Sequence, residues 1–289
     1  MKKYIYFHVA TIGHWREVVL NIVSQILDSG LFLKIDEIRC SVVGDVEAIK
    51  SVIPINILHK FNFIVNLKNE LCMATNWMPP RRMVGLPVHN EQPMAQHIYK
   101  TCQEEDCYIL YLHSKGVKNS NEEERCNIRD AVNFVLHFLL YRHEDVFYGL
   151  KDNDAVGCNL YHFSSWVKND YRSVVKEKYK GYKCKEAEDL YWQSVTKIDQ
   201  SVDITNHLRC WYILNFWWSK SSHIRSINPK FFSGYSGPEV WITQKGKMFE
   251  LKNSKIHDHR FESYGRSNYI NSELELKSID SIQYYSGEY

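Results

Sequence analysis

Tyr108-Ile109-Leu110-Tyr111-Leu112-His113-Ser114-Lys115-Gly116 is an apolar run that ends abruptly in imidazole, hydroxyl, ammonium and glycine. A run that is apolar at nearly every position reads as a strand buried on both faces, as inside a parallel sheet. Ligands of open α/β sheets gather at the carboxyl ends of such strands, so a basic, glycine-terminated end is where an anionic group would sit. The stretch predicts an α/β fold with a site for a phosphate-bearing ligand. Ordinary turn chemistry is the plainer reading of the same four polar residues.

Upstream, Tyr4 to Ala10 reads as a buried first strand, and Thr11-Ile12-Gly13 turns it into a helix. That helix gathers Trp15, Val18, Val19, Ile22, Val23, Ile26 and Leu27 on one face and is capped at Gly30. Ile35 to Gly44 gives a second strand, Asp45 to Val52 a short helix and Ile55 to Phe61 a third strand, a βαβαβ half-sheet. Asn62 to Val88 lacks clean periodicity and reads as loop with room for a short helix. Asn90-Glu91-Gln92-Pro93 then opens a helix to about Glu104, with the proline in its first turn.

Downstream, Val117 to Glu124 is a polar stretch without an apolar anchor, expected to be mobile until a ligand arrives. One long helical pattern covers Arg125 to Leu150, and a strand follows over Asp154 to Leu160. Lys168 to Glu188 reads as a surface insertion. Trp211 to Trp218 reads as an aromatic strand, and Ser219 to Ile227 as a helix with serine as N-cap. Ser233 to Pro238 is a glycine-rich loop with a helix starting at Glu239. The chain after about Asn253 is polar and expected to wrap back over the body.

With 44% hydrophobic and 24% charged residues among 289, the chain can bury the core of one large α/β domain or two small ones. A formal charge of +2 leaves no broad electrostatic footprint for nucleic acid, so any basic site is local. Eight cysteines without a CxxC pair lack zinc-finger spacing and read as free thiols of a reducing compartment. No run reaches the roughly 18 apolar residues of a membrane span, and the N-terminal apolar run is too short for a signal segment. The expected location is the cytoplasm. The 14% aromatic content suits sugar-stacking surfaces and protein interfaces alike.

Three stretches in order resemble a family of glycosyltransferases with a GT-A-like fold, found in large DNA viruses, protists and bacteria. Tyr4-Ile5-Tyr6-Phe7-His8-Val9-Ala10-Thr11-Ile12-Gly13-His14-Trp15 is similar to the family's opening strand and first helix. Leu110-Tyr111-Leu112-His113-Ser114-Lys115-Gly116-Val117 resembles its YLH(S/T)KGV signature, and Asn215-Phe216-Trp217-Trp218-Ser219-Lys220 its GNFWWA block. The specificity lies in the ordered set, which spans about residues 4 to 260. One departure stands out. Where the family pattern has His-Phe-Ser-Gly, this chain has Trp211-Tyr212-Ile213-Leu214, bulk in place of small polar groups.

The resemblance implies a single GT-A-like domain over residues 1–260, a Rossmann-like mixed sheet flanked by helices. Its nucleotide-binding half would cover about 1–117 and its acceptor half about 118–260, with 261–289 as a polar extension. The implied activity moves a hexosyl, deoxyhexosyl or pentosyl unit from a nucleotide-sugar donor to a glycan acceptor, for surface or virion glycans. A viral enzyme of this kind would work in the host cytoplasm. The alternative, resting on the Trp211 to Leu214 departure, is a non-catalytic carbohydrate-binding or scaffolding protein. A Rossmann-type oxidoreductase is disfavoured, since no GxGxxG follows the first strand.

In GT-A enzymes a divalent metal usually sits on a DxD motif at the end of the central strand, a place that His113-Ser114-Lys115 takes here. The Lys115 ammonium would neutralise the departing diphosphate without a metal and His113 would donate to a phosphate oxygen; Mn²⁺ or Mg²⁺ is the other option the fold allows. Asp152-Asn153-Asp154 is a DxD, but it precedes its strand and so faces the wrong end of the sheet. Glu239 is the expected base, with a helix-start role as the plainer reading. Donor contacts are expected from His8, Ala10, Thr11, His113, Ser114, Lys115 and the late His257. Asn215, Trp217 and Glu91 are assigned to the sugar side, Glu91 with a helix-start alternative. Strand alternation allows only one of Trp217 and Trp218 to line the site.

Overall fold

A computed structural model of the chain describes residues 1–65, 91–162, 210–227, 239, 241–243, 245–256, 259–272 and 277–280. The expected half-sheet is there: β1 (Lys2–Ala10), β2 (Glu37–Val43) and β3 (Phe61–Ile64) run parallel, linked by α1 (Trp15–Asp28) and α2 (Val46–Val52). Next, α3 (Gln92–Glu104) leads into β4 (Cys107–His113), which pairs parallel with the other side of β1. The chain continues through α4 (Glu122–Leu136), α5 (His143–Asp152), β5 (Ala155–Gly157), β6 (Leu160–His162) and β7 (Cys210–Tyr212). It then forms β8 (Trp217–Lys220), α6 (Ser221–Ser226), β9 (Lys247–Glu250) and β10 (Lys277–Asp280).

The main sheet has the order β10-β9-β5-β8-β4-β1-β2-β3, and β6 pairs with β7 in a separate ribbon. β8 lies antiparallel between β4 and β5, and β10 antiparallel on β9, so the sheet is mixed. The protein is α/β, a Rossmann-like mixed sheet flanked by helices. Among the described residues no helix is long and apolar enough to cross a membrane.

The apolar faces decide the layering. Val19, Ile22 and Val23 of α1, Ile49 of α2, Val132 of α4 and Leu150 of α5 pack with Ile5, Phe7, Leu110 and Leu112 on one side of the sheet. Met94 and Ile98 of α3 and Ile224 of α6 pack with Tyr4, Tyr6, Ile109 and Tyr111 on the other. Helices therefore change face between β3 and β4, and the topological switch point falls between the carboxyl ends of β1 and β4. The loops leaving those two strands are laced together there. Ser114 N–H donates to the His8 carbonyl at 2.9 Å, Ala10 N–H to Ser114 Oγ at 3.0 Å and His14 N–H to the Val117 carbonyl at 3.0 Å.

Several elements differ from the sequence expectation, each for a local reason. Ile55 to Lys60 is a 3₁₀ turn started at Pro54 and not the third strand, which begins at Phe61. Ile57 N–H donates to the Pro54 carbonyl, and Ile55 is left 86% exposed. The polar stretch after Gly116 does have an anchor, the buried Val117. Helix α4 also starts earlier, because Asn121 caps Glu124 N–H and three glutamates fill the first turn. The single long helix is two, separated by a wide π turn over His137–Tyr141 in which the Leu139 carbonyl accepts the Trp218 indole N–H.

The aromatic strand is also broken, by a 3₁₀ turn over Ile213–Asn215. α6 begins at Ser221 without a side-chain cap; the Ser219 hydroxyl donates instead to the Asp154 carbonyl. The described residues after Asn253 return to the body, as expected. Tyr264 and Tyr269 pack edge-on against Phe134, and β10 pairs with the β9 edge, whose backbone groups need partners. The Lys168–Glu188 insertion, the Ser233–Pro238 loop and His257 lie outside the described residues.

Gly13 carries the seam between the β1 and β4 loops: its φ is +54°, and a Cβ there would fall 1.9 Å from the Val117 carbonyl oxygen. Gly30 has a similar φ of +73° with nothing within 4 Å of an added Cβ. Gly30→Ala should cost only the left-handed strain, about 1–2 kcal/mol. Gly13→Ala should cost about 2–5 kcal/mol, as overlap adds to strain. Urea unfolding of the two variants checks the ordering.

Candidate active site

β4 delivers His113 to the switch point, and alternation places Tyr111 on the same face as His113, towards α3. Glu91 immediately precedes α3 yet makes no capping bond to its own helix. Its carboxylate turns into the site, where Oε2 accepts from Tyr111 Oη at 2.9 Å and from Asn215 Nδ2 at 2.7 Å. Oε1 lies 3.5 Å from His113 Nδ1. The other ring nitrogen, Nε2, is 2.6 Å from the Leu214 carbonyl and must carry the proton of that bond. In the neutral ring Nδ1 is then bare, and a further proton would lie between the imidazole and Glu91.

The opposing groups set the charges. Burial by itself would raise Glu91, but His113, His8, Lys115 and the Tyr111 hydroxyl outweigh it and hold the carboxyl below its ordinary range. Burial pushes His113 down; Glu91 pulls it up and Lys115 down, and the net is an imidazole that favours the neutral form. Lys115, one residue past the strand's last neighbour Ser114, reaches Glu239 with Nζ 3.7 Å from Oε1. Burial raises the Glu239 pKa, Lys115 opposes this and Glu91 adds to it, so Glu239 is a carboxylate that holds its proton more readily than usual.

The turn before β8 completes the wall. Leu214 (φ 59°) and Asn215 (φ 56°) are consecutive left-handed residues. Asparagine tolerates this, whereas leucine is strained by about 1–2 kcal/mol. That strain turns the Leu214 carbonyl onto His113 and aims the Asn215 amide, whose Nδ2 donates to Glu91 while Oδ1 accepts from Trp217 Nε1 at 2.9 Å. The family pattern resembled above has glycine at position 214, a residue that takes this conformation without strain.

The structure brings together His113, Lys115, Glu239, Glu91 and Asn215. Of the other expected residues, Thr11, Ser114, His8 and Trp217 also make contacts within the fold. Thr11 Oγ1 donates to the Val43 carbonyl and accepts from Asp45 N–H, the Ser114 hydroxyl holds Ala10 N–H, and His8 Nδ1 meets Ser41 Oγ at 2.7 Å. Trp217 is 1% exposed, stacked on Tyr111 and edge-on to Trp241, so it backs the site and presents no open face. Trp218 points to the opposite core, as alternation requires. Asp154, before β5, lies at the far end of the sheet; its carboxylate accepts Lys247 N–H and faces Lys220.

Two participants escaped the sequence reading. Tyr111 was legible, two residues before His113 on one face of a strand. The Leu214 carbonyl had no signal, since nothing marks a leucine for a left-handed turn. No protein-family model, no curated protein and no solved structure matches the chain.

Glu91 gives a signed test. Its folded pKa is lowered, so its contribution is complete above the unfolded carboxylate value of about 4.3 and is lost as pH falls through the lower folded value. Glu91→Gln should lose about 1–3 kcal/mol at neutral pH, with the gap to wild type closing in acid. The same change should move His113 further down, seen as a lower imidazole titration midpoint by NMR.

Proposed function

We propose that the protein is a glycosyltransferase of GT-A-like architecture that moves a sugar from a nucleotide-sugar donor to a glycan acceptor. The observation that carries this reading is an ammonium and a carboxylate of raised pKa, Lys115 and Glu239, 3.7 Å apart at the switch point. Glycosyl transfer needs these two functions side by side. A fixed cation takes up the charge of the departing diphosphate, and a base accepts the proton of the attacking hydroxyl.

In this reading the donor diphosphate binds over the β4 end, drawing Lys115 from Glu239. The bond from the anomeric carbon to the diphosphate breaks, and its electron pair leaves with the phosphate beside Lys115. The acceptor hydroxyl attacks that carbon and gives its proton to Glu239. Losing Lys115 as partner raises Glu239 further, which makes it a stronger base at that moment. Glu91 and Asn215 hold the sugar side of the pocket and fix the His113 ring.

A divalent cation at a diphosphate is held by one or two carboxylates together with the phosphate oxygens of the substrate. Among the described residues no three His, Cys, Asp or Glu side chains gather to hold an ion, and Glu91 Oε2 already accepts two hydrogen bonds. The steps above are routed through Lys115, whose Nζ lies 3.7 Å from Glu239 Oε1.

A thermal-shift panel of nucleoside diphosphates and nucleotide sugars, each with EDTA and with Mn²⁺, tests the reading. One nucleotide should raise the melting temperature in EDTA, and Lys115→Ala should abolish that shift. Glu239→Gln should keep the shift while transfer falls by about 10²–10⁴. The pH dependence has a fixed sign. Because Glu239 is raised, kcat/KM should climb with pH through a limb above the ordinary carboxylate value of about 4.3. No shift with any nucleotide would sink the transferase in favour of a carbohydrate-binding or scaffolding protein.

A further inference from the structure

Lys115 also borders a cavity of about 100 Å³ on the other face of the sheet, between α1 and α4, whose lining includes His14, Glu17, Glu122, Arg125 and Arg129. Inside it Glu17 answers two guanidinium groups at once: Oε2 is 3.1 Å from Arg125 Nη2 and Oε1 is 3.2 Å from Arg129 Nη1. An oxyanion held at both oxygens by arginine is the geometry through which proteins select carboxylates and phosphates. Glu17 thus occupies the place of a ligand.

We propose that this cavity is an oxyanion subsite, which takes a phosphate or carboxylate group of the substrate in exchange for Glu17. With Glu17 swung out, Arg125 and Arg129 face one lining carboxylate, Glu122, so a positive charge remains to draw an anion in. The Glu17 side chain is 48% exposed and on the first turn of α1. It can swing into water at small cost, because exposed ion pairs contribute little and the helix N-terminus still favours its charge. Glu17, Glu122, Arg125 and Arg129 stand on two helices of 14 and 15 residues, which fixes the spacing of these charges over a floor that includes Val18, Ile128 and Val132.

The inference rests on the transferase reading for its substrate: the oxyanion belongs either to the donor's phosphates or to an acidic sugar of the acceptor. Isothermal titration of the full chain at low salt separates these sources, with inorganic pyrophosphate as one probe and glucuronate as the other. Arg125→Gln with Arg129→Gln should weaken the responding probe by about tenfold or more, since charge-assisted bonds are lost. Glu17→Gln removes the built-in competitor, keeps the helix, and should tighten the same probe several-fold. Pyrophosphate responding to both changes assigns the donor, glucuronate the acceptor.

If neither probe responds to the arginine pair or to Glu17→Gln, the subsite is wrong. Lys115→Ala keeps that failure apart from failure of the transferase reading. Pyrophosphate binding that needs Lys115 but ignores Glu17 and the arginines would leave the donor site standing and remove the subsite. Binding that needs the arginines but not Lys115 would do the reverse.

Discussion

Everything at the candidate site hangs on the seam between the loops that leave β1 and β4. The two strands are parallel neighbours, but the helices that follow β1 and precede β4 lie on opposite faces, so the loops meet edge to edge. Three hydrogen bonds from Ser114, Ala10 and His14 close that gap, and Gly13 permits a backbone approach no side chain would allow. The Ser114 hydroxyl oxygen takes part in this seam by accepting Ala10 N–H, while Thr11 Oγ1 ties the end of β1 to Val43 and Asp45 beyond β2. What the seam leaves exposed to chemistry is the next residue along, Lys115.

Around that lysine the fold assembles groups from distant parts of the chain. The start of α3 contributes Glu91, the end of β4 His113, and a left-handed turn 124 residues beyond Glu91 contributes Asn215. A partly buried carboxylate is tolerable because two donors satisfy one oxygen and positive charges surround it. Each member orients the next: Trp217 fixes the Asn215 amide, Asn215 and Tyr111 fix Glu91, and the Leu214 carbonyl fixes the His113 tautomer. Such a network keeps its geometry without a ligand, and preorganised dipoles of this kind are what stabilise charge developing in a reaction.

Lys115 stands between two differently charged surroundings. On the α3 side it faces Glu239, whose pKa burial raises; on the α1 side it borders the cavity where Glu17 pairs with Arg125 and Arg129. In both places a carboxylate of the protein sits against a cation, in the manner of an anionic ligand. The transferase reading and the oxyanion subsite follow from this common feature.

The sequence by itself determined the parallel half-sheet and the strand end that carries His113 and Lys115. Continuous apolar runs of strand length that end in turn residues read as buried strands, and the helical spacing from Trp15 to Leu27 needs no partner to be read. It also marked Asp152-Asn153-Asp154 as lying at the wrong end of its strand, which parallel pairing with β9 and antiparallel pairing with β8 bears out. It missed the turn at Pro54, which is local to the proline, and the wide turn at His137–Tyr141 and the break at Ile213–Asn215, whose carbonyls are engaged by Trp218 and His113 from elsewhere in the chain. Only the tertiary structure decided that Glu91 faces inward, that Leu214 lends its carbonyl to His113, and that Glu17 bridges two arginines. Apart from Glu91 with His113, those contacts join residues about 100 or more apart, and their energies come from burial and charge that no local pattern records.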